Sequence, residues 1–170
     1  PTSYIPNYGI ALGVTRSAET ANGAGDASTF NSSEGVLMAE ISALSEIGTS
    51  RAISISNGSS TANRLVLQYT NSASGNEIVA FAQATSYSSV LTRSIPNSTI
   101  FGKFAVKYSD TANTFDLYFN GFKIGEGTWN HSFPTNSLSK IQLADANGTG
   151  NPFYGSAKQI QYFDSALNDS

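Results

Sequence analysis

The sequence predicts an all-β fold, a two-sheet antiparallel β-sandwich, and three observations carry that prediction. Apolar residues recur with a period of two in segment after segment. Clusters of Gly, Asn, Ser and Asp punctuate the chain at intervals of about 8–12 residues. No window keeps a 3.6-residue period beyond two turns. A period of two sends successive side chains to opposite faces of a pleated strand. Short, evenly spaced strands between turn signals suit a sandwich better than alternating helix and strand.

The strands follow in order. In "EGVLMAEISAL" (34–44), Val36, Met38, Glu40 and Ser42 share one face, and Leu37, Ala39, Ile41 and Ala43 share the other. "LSEIGTS" (44–50) suits a single helical turn. "RAISISN" (51–57) sets Ala52, Ser54 and Ser56 against Ile53 and Ile55. "RLVLQYT" (64–70) puts Leu65, Leu67 and Tyr69 on one side. "EIVAFAQAT" (77–85) opposes Val79, Phe81 and Gln83 to Ile78, Ala80 and Ala82. "GKFAVKYS" (102–109) alternates Phe104, Val106 and Tyr108 with Lys103, Ala105 and Lys107. The turns at 56–60, 71–76 and 109–114 are rich in residues that accept positive φ or bond back to their own backbone. In "FDLYFNGFKIGEG" (115–127), Asp116, Tyr118 and Asn120 face away from Leu117 and Phe119. Asn120-Gly121 then supplies the two positive-φ positions of a type I′ hairpin. That motif is framework, and its chemistry is backbone geometry.

Bulk composition narrows the function classes. With 170 residues the chain is long enough for one ordinary domain and short for two. Charged residues make up 12%, well below the usual ~25%. Ser, Thr and Asn fill the gap at roughly a third of the chain, as in many extracellular β-proteins. Net charge is −3, and the nine Lys and Arg are scattered singly, so there is no nucleic-acid footprint. No cysteine is present, which excludes disulfides, zinc-thiolate sites and thiol nucleophiles. No apolar run approaches the ~18 residues of a membrane span, so no membrane insertion is expected. The chain begins at Pro1 and ends in "ALNDS", which reads as one β-sandwich domain (1–170) excised from a longer polypeptide. Its entry segment, 1–19, is placed to contact a neighbouring domain, through Tyr4 and Tyr8 among others.

Three segments carry a family resemblance. "PTSYIPNYGIALGVTRSAE" (1–19) is close to a "TSYIPT…VTRAAD" segment of modular phage and bacterial surface proteins. "GKFAVKYSDTANTFDLYFNGFKIGEG" (102–127) has the pattern of a strand, a turn and an "lyvNG" hairpin. "FYGSAKQIQYFDSALNDS" (153–170) resembles an ending with F-x-G, alternating apolar residues, then (F/Y)-(D/N)-x-A-L-(T/N)-D. In order and spacing across nearly the whole chain, they resemble the concanavalin A-like, laminin G-like jelly-roll domains of phage tail fibres and tailspikes. The resemblance departs at the end, where the usual "EL" continuation is missing after Ser170. It implies a lectin- and glucanase-type sandwich on an extracellular virion tail appendage. Its partner would be bacterial surface polysaccharide or lipopolysaccharide, met by a homotrimer. These are framework motifs, and they specify function poorly.

The residues offer few of the constellations that chemistry needs. Retaining glycoside hydrolysis needs two carboxylates about 5–5.5 Å apart, and no two acids here stand two or four positions apart on one strand. An acid pair formed by two different strands stays open. The single histidine, His131, sits in "TWNHSFPTN" with no Gly-x-Ser-x-Gly elbow. The chain is therefore read as non-enzymatic, with no catalytic residue. "DANGTGNPFYGS" (145–156) has the outline of a calcium loop, with oxygen donors at Asp145, Asn147 and Thr149. Its twelfth position is Ser156 and Asp145 is its lone carboxylate, so a plain hairpin loop is the favoured reading and calcium the alternative cofactor. Sugars stack on aromatic rings beside polar groups. Trp129, Asn130, His131, Tyr87 and Tyr154 are the candidate glycan-binding residues, with Trp129 as core lid the competing reading. The expected function is a carbohydrate-binding, host-receptor-recognition module. The alternatives are a structural or trimerisation spacer, and an adhesin or carbohydrate-binding module of a secreted bacterial protein.

Overall fold

Ten strands alternate with turns in the computed structural model, which describes residues 24–44, 50–70 and 76–168. They are β1 (Glu34–Ala43), β2 (Arg51–Ser56), β3 (Asn63–Tyr69), β4 (Glu77–Ala84) and β5 (Tyr87–Ser94), then β6 (Gly102–Ser109), β7 (Thr114–Phe119), β8 (Phe122–Gly127), β9 (Lys140–Gln142) and β10 (Gly155–Phe163). No helix occurs among the described residues. The entry segment 1–19, most of the helical turn expected at 44–50 and most of the turn at 71–76 lie outside them.

The strands form two five-stranded sheets, ordered β10-β1-β6-β7-β8 and β5-β4-β3-β2-β9, and among the described residues neighbouring strands pair antiparallel. The fold is an all-β jelly-roll sandwich. Its core is the set of faces that period two marks out. Leu37, Ala39 and Ile41 of β1 join Phe104, Val106 and Tyr108 of β6 and Leu117 of β7. Across from them lie Ile53 and Ile55, Leu65, Leu67 and Tyr69, and Ile78, Ala80 and Ala82. Each buried Leu or Ile side chain contributes roughly 1.5–3 kcal/mol by leaving water.

The Asn120-Gly121 turn takes the expected form, with φ of 50° and 88°. Asn120 ties it to β6, its backbone N–H donating to the Lys103 carbonyl at 2.8 Å. One residue beyond the simple hairpin is accommodated by a bulge: Tyr118 opposes Lys123, whereas Leu117 opposes Gly125.

Two features were not anticipated. Strand β5 lies in "YSSVLTRS", where only Leu91 is buried, so the segment has no apolar alternation to announce it. It forms because the Thr85-Ser86 turn returns the chain along β4, pairing Ala84 with Tyr87 through to Glu77 with Ser94. The second is β2, which is buried on both faces although Ser54 and Ser56 lie on the side away from the core. A flap formed by the β9–β10 connection covers that side. Ser54 Oγ donates to the Ala144 carbonyl at 2.7 Å, and Ser56 Oγ to the Ala146 carbonyl at 2.6 Å. The flap spans residues 143–151 and forms one side of a surface groove.

Candidate functional site

The flap stands as a wall on the outer face of the β5-β4-β3-β2-β9 sheet. Asp145 closes it on itself by accepting the Gly148 N–H at its carbonyl and donating its own N–H to Gly150, both at 2.7 Å. From there the Asp145 side chain reaches β3. Arg64 Nη1 donates to Asp145 Oδ1 and Oδ2 at 2.8 and 2.7 Å. The same guanidinium lies over the Phe81 ring, 4.7 Å from its centroid, so Arg64 bridges flap and sheet.

Beside this bridge runs a groove of about 230 Å³ lined by Arg64, Val66, Gln68, Val79, Phe81, Asp145 and Asn151. Its residues are the outward positions of β3 and β4, set side by side by the register Val66↔Phe81 and Gln68↔Val79. Edge strand β5 extends the apolar floor, since Val90 pairs with Phe81 and is 54% exposed. An apolar floor rimmed by an amide from the sheet (Gln68), an amide from the flap (Asn151) and an ion pair is the usual make-up of a small-ligand site. Sequence reading missed it because Arg64 and Asp145 are 81 positions apart. The available signal was that Arg64, Val66 and Phe81 share outward parity on strands that pair.

The other sheet carries a smaller groove, about 150 Å³, lined by Val36, Ala105, Lys107, Tyr118, Leu167 and Asn168. The chain's own segment after β10 occupies its rim, held by the Ala166 N–H donating to Glu34 Oε2 at 3.3 Å.

The five residues expected to stack a sugar do not assemble into one site. Trp129 is 2% exposed, packed on Phe133 at 5.1 Å between ring centroids and on Phe115 at 6.4 Å. It is the lid of one end of the core, so the stacking-platform reading gives way to the competing one. Tyr87 and His131 do meet, stacked at 3.5 Å with 20° between planes, and Asn130 is exposed beside them. Tyr154 lies at the opposite end. Phe133 donates its N–H to Ser32, just before β1, whereas Tyr154 precedes the Gly155 that pairs with Ala43 at the far end of β1. A ten-residue strand separates those ends by roughly 30 Å.

In the flap, the oxygens of the calcium-loop outline have partners within the protein. The Asp145 carboxylate is taken by Arg64 and by the Ala146 N–H at 2.7 Å. Asn147 Oδ1 accepts the N–H groups of Thr149 and Gly150, each at 3.2 Å. These oxygens answer N–H donors instead of converging on a cation, and no group of three or more acidic, His or Cys side chains gathers among the described residues.

Among the described residues, one acid pair stands across neighbouring strands. Asp116 of β7 stands directly opposite Glu126 of β8. Asp116 is 1% exposed, with Oδ2 paired to Lys123 Nζ at 3.0 Å and Oδ1 without a partner. A carboxylate sealed beneath lysine cannot reach a glycosidic bond, and the pair lies outside both grooves.

No family model matches the chain, and no curated protein does. Solved structures do. The CBM40 module of the Ruminococcus gnavus IT-sialidase, bound to α2,3-sialyllactose, is similar over 82% of this chain and 80% of that one, with a TM-score of 0.66 and 18% identity. A putative carbohydrate-binding protein from Bacteroides ovatus is similar over 81% of this chain and 39% of its own, with a TM-score of 0.60 and 15% identity. The NanB sialidase of Streptococcus pneumoniae, as a point mutant, is similar over 84% of this chain but only 24% of its own, with a TM-score of 0.65 and 15% identity. At these identities the likeness establishes the fold, a sandwich that carbohydrate-binding modules also use.

Proposed function

We propose that this chain is a carbohydrate-binding module without catalytic function, and that its ligand lies in the groove between the flap and strands β3 and β4. The observation that carries the reading is the groove's composition: Phe81 and Val79 as floor, Gln68, Asn151 and the Arg64–Asp145 bridge as rim. A sugar ring offers an apolar C–H face and a polar edge of hydroxyls, and this arrangement matches both. The shared fold with carbohydrate-binding modules supports it. A volume of about 230 Å³ suits one sugar unit of a longer glycan. Binding at such a site is weak, and repetition in an oligomer would raise it by avidity.

The setting we propose is a phage tail fibre or tailspike meeting bacterial surface polysaccharide, as a homotrimer. Support comes from the segments 1–19, 102–127 and 153–170.

A glycan array followed by titration calorimetry tests the function. Phe81→Ala should lower affinity about tenfold, a loss of about 1.4 kcal/mol, while His131→Ala leaves it unchanged. The opposite pattern would move the ligand to the Tyr87–His131 end of the sandwich. Absence of binding to any glycan, with a clean trimer by sedimentation, would leave the structural-spacer role.

A further inference from the structure

We infer that the groove selects uncharged sugar units and rejects acidic ones, because the single cation among its described lining residues is already neutralised by the flap. This rests on the carbohydrate-binding reading and names the ligand class of that same site. The charged side chains lining the groove are Arg64 and Asp145, and their charges cancel across contacts of 2.7 and 2.8 Å. Asp145 is held in place independently, since its Oδ1 also accepts the Ala146 N–H at 2.7 Å. Arg64 is held over Phe81, and its Nε is buried without a hydrogen-bond partner, out of a ligand's reach.

Other nearby charge adds to the bias. Glu77 is the next outward residue along β4 from Val79, and it accepts the Thr70 hydroxyl at 3.3 Å. Lys140 lies on the other side of the flap, against Gly58. A ligand carboxylate entering the groove would therefore meet Asp145 and Glu77 with no unpaired cation among the described residues that line it. Displacing Asp145 from Arg64 would break both hydrogen bonds that hold the pair. What remains for recognition is neutral: the amides of Gln68 and Asn151 for hydroxyls, and Phe81 and Val79 for a C–H face. The structural neighbour bound to sialyllactose holds an acidic sugar, so the two sandwiches would differ in ligand charge.

The test is an array of matched oligosaccharides, each neutral member paired with its sialylated or uronate counterpart. The wild-type chain should favour neutral members by about tenfold or more. Asp145→Asn frees the guanidinium, so it should raise binding of the acidic members about tenfold, and added salt should remove that gain. Equal or tighter wild-type binding of the acidic members would overturn the inference and leave the carbohydrate reading standing. Failure to bind any member would overturn both. The wild-type comparison decides the matter even if Asp145→Asn does not fold.

Discussion

Trp129 shows how one residue's role can be settled by its neighbours alone. Its ring packs among Phe115, Phe133 and His131, and 2% exposure leaves no face for a sugar. Trp129→Ala should cost about 3–5 kcal/mol of stability, the range for emptying a large aromatic from a core. A urea melt measures that loss, and glycan affinity measured below the melting temperature should stay at the wild-type value. A variant of undiminished stability that had lost binding would return Trp129 to the role of platform. In sequence, "GTWNHSF" could not decide between lid and platform, because it has no alternation to state which way the ring points. The Tyr87–His131 stack was equally hidden: its partners come from the edge strand β5 and from the loop after β8.

Among the elements, the β7–β8 hairpin was legible down to its turn residues, and β5 was not legible at all. The difference is how each is held. Asn120-Gly121 encodes its geometry locally through two positive-φ positions. Strand β5 is held by its ladder to β4, and a backbone ladder leaves little trace in side-chain type. Strand β10 gives a test of pairing by close approach. A Cβ at Gly155 would collide with the Ser42 carbonyl oxygen of β1 and come within 2.9 Å of the Phe153 ring. Gly155→Ala should therefore cost roughly 1–3 kcal/mol and loosen the Ala43 end of the β1–β10 ladder. Hydrogen exchange should show faster amides there with β3 and β4 unchanged. Unchanged protection across β10 would mean that the two backbones can separate freely.

At the scale of the whole molecule, buried phenols link stability to alkaline pH. Tyr69 donates its hydroxyl to the Ile41 carbonyl at 3.1 Å across the sandwich. Tyr108 donates to the Asn31 carbonyl at 2.6 Å and shares a 2.8 Å hydrogen bond with Tyr162. Burial raises the pKa of all three above the ordinary phenol value, for Tyr108 with Tyr162 and Glu34 adding to it. A group whose folded pKa is raised holds its proton more tightly when folded. Its contribution is complete below the unfolded value of about 10 and is lost as pH rises from there toward the folded value. The urea midpoint should therefore be flat from about pH 8 to 10 and fall above that. Tyr108→Phe should lower the plateau, by removing hydrogen bonds, and make the alkaline fall shallower. A midpoint unchanged to about pH 11.5 would sink the linkage.

Strand periodicity and turn chemistry are local, and the order of residues alone specifies them: the apolar face of strands such as β1, β3, β4 and β6, and the Asn-Gly hairpin. A sandwich follows, because several one-sided strands have no other way to bury those faces. Whatever depends on distant segments meeting came only with the closed sandwich. It folded the flap onto Ser54 and Ser56 from 90 positions away, brought Asp145 to Arg64, and set Asp116 opposite Glu126. Such contacts arise only once both sheets are closed, since loop closure joins residues whose sequence neighbourhoods carry no common pattern.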